Sequence, residues 1–222
     1  MLALLSKGSR KKPCILLFGH DTDHLKTAYS VLNQPISLFC IQHTQGATQI
    51  QIDDLHQHKF VQLDLKHNDA IGQLFKTINK LGYFPELIVY EPAQPFVHAL
   101  RSVESSQVES LWQTSGLVAI HVAQHSIKNM LENKTGTLIL LSSGAHSPID
   151  EMKIVQSNLN AGIRALSQSL AREFHPKGIH VVYYELNTWS HYSIESAQAI
   201  MSACLKIAQQ PKSTWSQELT QA

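Results

Sequence analysis

The sequence is poor in cysteine and in long apolar runs, and each shortage excludes a class of protein. Three cysteines occur in 222 residues, at Cys14, Cys40 and Cys204, without a pairing pattern. They indicate small buried side chains in a reducing compartment. No apolar run reaches about 18 residues, so no membrane-spanning helix is predicted. We therefore expect a cytoplasmic protein without a membrane partner.

An excess of charge of either sign is also missing. The chain has 18 basic and 17 acidic residues and a formal net charge of +1. The one basic cluster, residues 7–12, is more typical of a solvated tail than of an arm that binds nucleic acid. We expect residues 1–12 to form an N-terminal tail and residues 13–222 to form one domain. Nucleic acid is not an expected partner.

What the sequence does contain is an alternation of short apolar runs with segments of helical period. This alternation predicts a parallel sheet with crossover helices, that is, a three-layer, doubly wound α/β sandwich of the Rossmann type with about seven strands. Ligands are expected at the carboxyl ends of its strands. The predicted strands are residues 14–18, 36–41, 60–63, 87–90, 137–141, 179–184 and a short 215–219.

The helices are predicted from apolar residues three and four positions apart. The second helix is expected to be capped by Asn68 or Asp69 and to bury a stripe that ends at Leu81. A single long helix is predicted over about residues 106–131, and another with a continuous apolar stripe over residues 155–174.

One stretch identifies a family resemblance. A strand ending in Ser142-Ser143 is followed by a helix that contains Ala161-Gly162 and the run Ser169-Leu170-Ala171-Arg172-Glu173. This arrangement resembles the short-chain dehydrogenase/reductase family, and the resemblance extends over nearly the whole chain. It implies the Rossmann fold of that family, an NAD(P) cofactor and oxidoreductase activity.

The catalytic positions that the resemblance implies are mostly changed. Ser143 matches the family's Ser, but the Tyr position thirteen residues later is Gln156 and the Lys position is Asn160. An acid/base catalyst needs a titratable proton, which Gln156 lacks, and Asn160 supplies no positive charge. The family's supporting Asn falls within residues 113–115, where no Asn occurs.

The phosphate-binding positions are changed as well. Of the family's Gly-x-x-x-Gly-x-Gly after the first strand only Gly19 remains, and the other two positions are Asp23 and Leu25. We expect both side chains to obstruct a pyrophosphate. Alternatively, Asp21, Thr22 or Asp23 simply caps the following helix.

The remaining cofactor positions match the family in part. His43 follows the second strand, where the family chooses between NAD and NADP, and favours neither. Asp64 and Leu65 match the family's residues near the adenine, although Asp64 is equally expected as a turn residue. The family's Asn-Asn-Ala-Gly is replaced by Tyr90-Glu91-Pro92-Ala93; Ala93 is a candidate cofactor-binding residue at the Gly position, and Glu91 brings charge toward the nicotinamide ribose.

The 13 histidines raise the question of a metal site. His20/His24 and His121/His125 have a spacing that places two imidazoles on one helical face, but no further ligand lies at a telling offset. No metal is expected.

Two functions are consistent with the sequence. The first is a degenerate member of the family that lacks standard hydride transfer and acts as a non-catalytic binding or partner subunit. The alternative is an atypical NAD(P)-dependent oxidoreductase that uses Ser143 and a nearby histidine. The resemblance implies a homodimer, or a heteromer with a related subunit, through helices containing residues 108–130 and 155–174, where Ala161, Gly162 and Ala165 are small enough for close helix approach.

Overall fold

The computed structural model describes residues 11–19, 23–31, 36–47, 50, 52–55, 58–93, 100–143, 154–186 and 194–221. Within them the strands are β1 (Lys12–Gly19), β2 (Ser37–His43), β3 (Ile52–Leu55), β4 (His58–Leu63), β5 (Tyr83–Tyr90), β6 (Thr137–Ser143), β7 (His180–Leu186) and β8 (Glu218–Thr220). The helices are α1 (Asp23–Val31), α2 (Asn68–Lys80), α3 (Ser105–Leu111), α4 (Leu117–Asn133), α5 (Ile154–Phe174) and α6 (Ile194–Ala208).

The strands form one sheet in the order β3-β4-β2-β1-β5-β6-β7-β8. Every neighbouring pair is parallel except β3 and β4, which are antiparallel. The prediction of a doubly wound sheet with about seven parallel strands is therefore confirmed. The edge strand β3 was not predicted, because its sequence Ile-Asp-Asp-Leu is short and half acidic, and aspartate is depleted in strands.

Helices cover both faces of this sheet and give the three predicted layers. One core lies under α2, α4 and α5 and includes Leu16, Phe18 and Leu140. The other lies under α1 and α6 and includes Ile15, Leu17 and Leu141. Consecutive strand residues alternate between the two cores because side chains in a strand point to opposite faces.

Three local predictions were wrong. The long helix is interrupted by a π-helical turn, Trp112–Gly116, which separates α3 from α4. Leu81 lies just beyond the last residue of α2, where its side chain is 51% exposed. The residue before α2 is His67 rather than Asn68 or Asp69, and its side chain makes no capping hydrogen bond. Lys12 begins β1, while residues 1–10 of the predicted tail lie outside the described residues.

Candidate functional site

Three of the predicted site residues lie at the carboxyl edge of the sheet. Gly19, His43 and Ser143 are the last residues of β1, β2 and β6. Gly19 is paired with Gln42 and Ser143 with Leu186. The side chain of Ser143 lies outside the described part of the structure, as do His20 and His146. This edge is where doubly wound sheets bind ligands.

Asp64 organises the turn that follows β2. Its carboxylate accepts hydrogen bonds from the backbone N–H of Gly46 at 2.9 Å and of Lys66 at 3.1 Å. The side chain is buried, and burial alone would raise its pKa, but these two hydrogen bonds and the nearby His43 and His67 lower the pKa below its ordinary value. Gly46 has a φ of +74°, which favours glycine in this turn.

His43 is hydrogen-bonded to the backbone N–H of Leu65, the residue after Asp64. Its Nδ1 accepts a hydrogen bond from the Leu65 N–H at 3.1 Å, so its proton lies on Nε2 and the ring is neutral. Burial lowers the pKa of His43, against the opposing effect of Asp64. The 3.7 Å approach of Nδ1 to the Asp64 carboxylate is therefore not an ion pair. The residues predicted near the adenine form one cluster that is bonded within the chain.

The start of α1 offers a pyrophosphate little room. Asp23 is the first residue of α1, and its carboxylate accepts a hydrogen bond from Lys26 Nζ at 2.8 Å. Leu25, at the third glycine position, is fully buried in the core beneath α1. The expectation that the Leu25 side chain faces the phosphates was wrong, because it packs inward. Glycine at this position lets a helix approach the strand closely, and leucine prevents that approach.

Hydrogen bonds of Tyr90 and Ser115 hold the segment that follows β5. The Tyr90 hydroxyl is fully buried and donates a hydrogen bond to the Ser115 carbonyl at 2.7 Å. The Ser115 Oγ accepts one from the Ala93 N–H at 3.0 Å. Ser115 lies in the π-helical turn, and such turns are frequent at functional sites. Glu91 next to Tyr90 is also buried, and its N–H donates to the Phe18 carbonyl at 2.8 Å.

Gln156 and Asn160 lie one turn apart on α5 and are 8% and 5% exposed. Two turns of α5 are also covered from within the chain, because Trp112 lies over them. Its indole N–H donates to Asn158 at 3.1 Å, and a Cβ on Gly162 would lie 2.6 Å from the ring. Gly162 therefore accommodates a side chain of its own chain.

Two further contacts, one polar and one apolar, were not predicted from the sequence. The Tyr183 hydroxyl donates to the Ser142 Oγ at 2.7 Å, and burial raises the pKa of Tyr183. Trp112 also lies against Gly116, where a Cβ would be 2.1 Å from its ring. The spacing of Trp112 and Gly116, four residues apart, was the available signal for the Trp112 packing. No sequence signal links Tyr183 to Ser142, because they lie on neighbouring strands.

The part of the chain that is described holds no group of three or more His, Cys, Asp or Glu side chains arranged to bind a metal. Cys14, Cys40 and Cys204 are free and buried, and burial raises the pKa of both Cys40 and Cys204 to about 12. Among the same residues, no helix is long and apolar enough to cross a membrane.

Residues 25–187, more than half of the chain, match the family model described as short chain dehydrogenase. The chain belongs to the short-chain dehydrogenase family. The sequence matches none of the curated proteins.

Solved structures of the same fold cover nearly all of this chain. A short-chain dehydrogenase from Rhodopseudomonas palustris is 17% identical, with a TM-score of 0.75 over 95% of this chain and 98% of that one. Serine dehydrogenase from Escherichia coli is 14% identical, with a TM-score of 0.76 over 93% and 96%. The closed form of serine dehydrogenase complexed with NADP+ is 13% identical, with a TM-score of 0.76 over 93% and 94%.

The described residues fit an NAD(P) cofactor poorly. The single N–H of Leu65, expected near the adenine, already donates to His43. Leu25 replaces the glycine that would bring α1 close to the sheet, and the N–H of Ala93 is bonded to Ser115. Two backbone donors are therefore engaged within the chain and one glycine position is replaced, whereas Gly19 is kept.

Proposed function

We propose that this family member is a non-catalytic binding subunit that associates with a second copy or with a related subunit. The observation that supports this most is the pair Gln156 and Asn160. They occupy the Tyr and Lys positions, they are buried, and neither carries a proton that titrates near neutral pH. Hydride transfer of the family's kind has no proton donor at this place.

The surface for association is the face formed by α4 and α5. A groove of about 620 Å³ lies between them and is lined largely by apolar side chains, including Ile120, Ile127, Leu131, Leu166 and Leu170. Leu117 and Leu131 of α4 are 44% and 40% exposed and add apolar surface to this face. Lys128, Glu132 and Glu173 at one end of the groove provide charges of both signs for a partner to pair with.

An atypical NAD(P)-dependent oxidoreductase is the alternative function. Gly19 at the end of β1 and the placement of Asp64 and Leu65 favour it, since both match the family. One structural neighbour is known in complex with NADP+. In such an enzyme Ser143 and a histidine would polarise the substrate.

Titration of the full chain with NADPH and NADH, by calorimetry and cofactor fluorescence, separates the two functions. The proposed binding subunit shows no binding up to millimolar cofactor. Micromolar binding of either cofactor would contradict the proposal, and a substrate screen with wild type and Ser143→Ala would then follow.

Light scattering on a sizing column tests the association. We expect a dimer at micromolar concentration, and we expect Leu131→Glu to shift it to the monomer mass. Leu81→Glu is the matched control, because Leu81 is 51% exposed but lies beyond α2, away from the groove. A wild-type monomer, or a dimer that both variants retain, would count against this surface.

A further inference from the structure

A second cluster of aromatic and titratable groups lies at the opposite end of the sheet from the candidate site. His180 is the first residue of β7 and is fully buried. Its ring stacks on Trp215 with a centroid distance of 4.6 Å and an interplanar angle of 1°. His175 meets both rings edge-on, at 5.5 Å from His180 and 5.2 Å from Trp215.

This cluster attaches the C-terminal segment, residues 209–221, to the body of the protein. The Nε2 of His180 donates to the Ser216 carbonyl at 2.9 Å. Gln210 organises the same segment, since its carbonyl accepts from Trp215 Nε1 at 2.9 Å and its side-chain Oε1 accepts from the Ser216 N–H at 3.0 Å. The short strand β8 follows directly and pairs with β7.

His175 completes the edge of β7 where β8 does not reach. The ladder between β7 and β8 begins at Tyr183, which leaves Val181 without a strand partner on that side. The Val181 N–H donates instead to Nε2 of His175 at 3.2 Å, and the Val181 carbonyl lies at the same distance from that nitrogen. A proton on Nε2 removes the acceptor for the N–H and makes the ring a donor to the carbonyl.

Protonation of His180 is unfavourable in this arrangement. Because Nε2 donates to Ser216, the proton would enter at Nδ1, which is buried and has no partner within hydrogen-bond distance among the described residues. Burial lowers the pKa of His180; the Ser216 and Ile207 carbonyls oppose this, while His175 adds to it. A fully buried cation is costly even beside two backbone carbonyls.

The charges around the cluster do not offset that cost. Lys177, which follows α5, is paired with Glu173 at 3.0 Å. From the turn before β8, Lys212 Nζ lies 5.8 Å from the Trp215 ring centroid. The described residues place no carboxylate within ion-pairing distance of either histidine. Acidification therefore adds positive charge to a cluster that already has the Lys212 ammonium beside it.

We propose that His175, His180 and Trp215 form a pH-sensitive clasp, which holds residues 209–221 on the sheet at neutral pH and releases them on protonation. Release leaves β7 as an open edge strand from Val181 to Glu185. Such an edge pairs readily with another extended chain, so the clasp would control exposure of a surface for strand addition.

The test is amide hydrogen exchange of the full chain, read by mass spectrometry and corrected for intrinsic exchange rates. Between about pH 7.5 and about pH 5 we expect peptides covering residues 209–221 to lose about tenfold or more of their protection. Peptides of β1 should keep theirs. Unchanged protection of the segment, or parallel loss in β1 through global unfolding, would overturn the proposal.

Two substitutions separate the clasp from mere packing. His180→Phe keeps a ring against Trp215 and His180→Gln keeps a donor for Ser216, and neither can take a proton. Both should make the segment's protection less dependent on pH in this range, even if its absolute level falls, because His175 is then the one imidazole left in the clasp. His121→Gln is the control, because burial also lowers the pKa of His121, which lies on α4. A wild-type response in both His180 variants, or its loss in His121→Gln, refutes the clasp.

Discussion

The adenine end and the nicotinamide end of the candidate site both fit a nucleotide poorly, but for different reasons. At the adenine end the family's residues remain, but Asp64 and the Leu65 N–H are bonded to Gly46, Lys66 and His43. At the nicotinamide end the residues themselves are replaced, and Gln156 and Asn160 are packed into the protein. One end has its functional groups occupied, whereas the other has lost them. One substitution, at His43, would free the Leu65 N–H at the adenine end. The nicotinamide end would need a tyrosine and a lysine at the buried positions 156 and 160.

The largest effect is expected between these two ends, at Leu25. Leu25→Gly restores the family's third glycine but removes a fully buried side chain from the core under α1. We expect the free energy of unfolding to fall by about 3–6 kcal/mol, from the cavity and from glycine within a helix. Urea denaturation measures it.

Asp23→Gly is the control for Leu25→Gly, since the Asp23 side chain is largely exposed and accepts a hydrogen bond from Lys26 of its own helix. Its cost should stay near about 1 kcal/mol. Equal costs for the two variants would mean that burial of the Leu25 side chain contributes no more stability than an exposed residue at the same helix end.

The next effect is expected at Asn160. Asn160→Lys restores the family's lysine at a position only 5% exposed, where an ammonium must be desolvated. We expect a loss of about 2–5 kcal/mol in the free energy of unfolding at neutral pH. Ser157→Lys, on the exposed side of α5, should cost less than about 0.5 kcal/mol. If Asn160→Lys were as stable as Ser157→Lys, the nicotinamide end would be open to water.

The residues of the candidate site also show how much of it can be predicted from the sequence. The parallel sheet, the apolar stripe of α5 and the changed identities at positions 156 and 160 all follow from local pattern. The inward direction of the Leu25 side chain does not follow from it, because Leu25 occupies a position of a glycine motif that faces the ligand. Whether Asp64 binds a ligand or a turn depends on Gly46, 18 residues earlier, which only the fold brings near.

The interrupted helix illustrates the same limit. Periodicity over residues 106–131 favours one continuous helix, and no propensity marks the π-helical turn at Trp112–Gly116. The turn depends on tertiary contacts: Ser115 bonds to Tyr90 and Ala93, and Trp112 packs on Gly162. Local sequence pattern therefore predicts helices and strands well. It predicts poorly the contacts between elements that are distant along the chain.

Tyr90 provides a smaller test at the nicotinamide end. Tyr90→Phe leaves the buried Ser115 carbonyl without its hydroxyl donor, and we expect a loss of about 1–3 kcal/mol in the free energy of unfolding. Tyr184→Phe is the matched control, because Tyr184 is similarly buried and the described residues give its hydroxyl no hydrogen-bond partner. Thermal or urea unfolding of both variants compares them. Similar costs would show that the hydroxyl of Tyr90 contributes nothing specific.

The smallest effect is expected at the adenine end, at His43. Burial lowers its pKa in the folded protein, so its neutral form contributes stability above the unfolded value of about 6.5, and this contribution is lost as the pH falls below that value. His43→Gln should therefore reduce the decline in unfolding free energy between about pH 7 and about pH 5 by roughly 1 kcal/mol or less. Gln45→Asn, at an exposed position two residues away that has no titratable group, should leave the decline as in wild type. A decline that His43→Gln leaves unchanged would mean that the hydrogen bond from Leu65 to His43 contributes no stability. The adenine end would then be held by Asp64 alone, and the two ends of the site would differ less than their hydrogen bonds indicate.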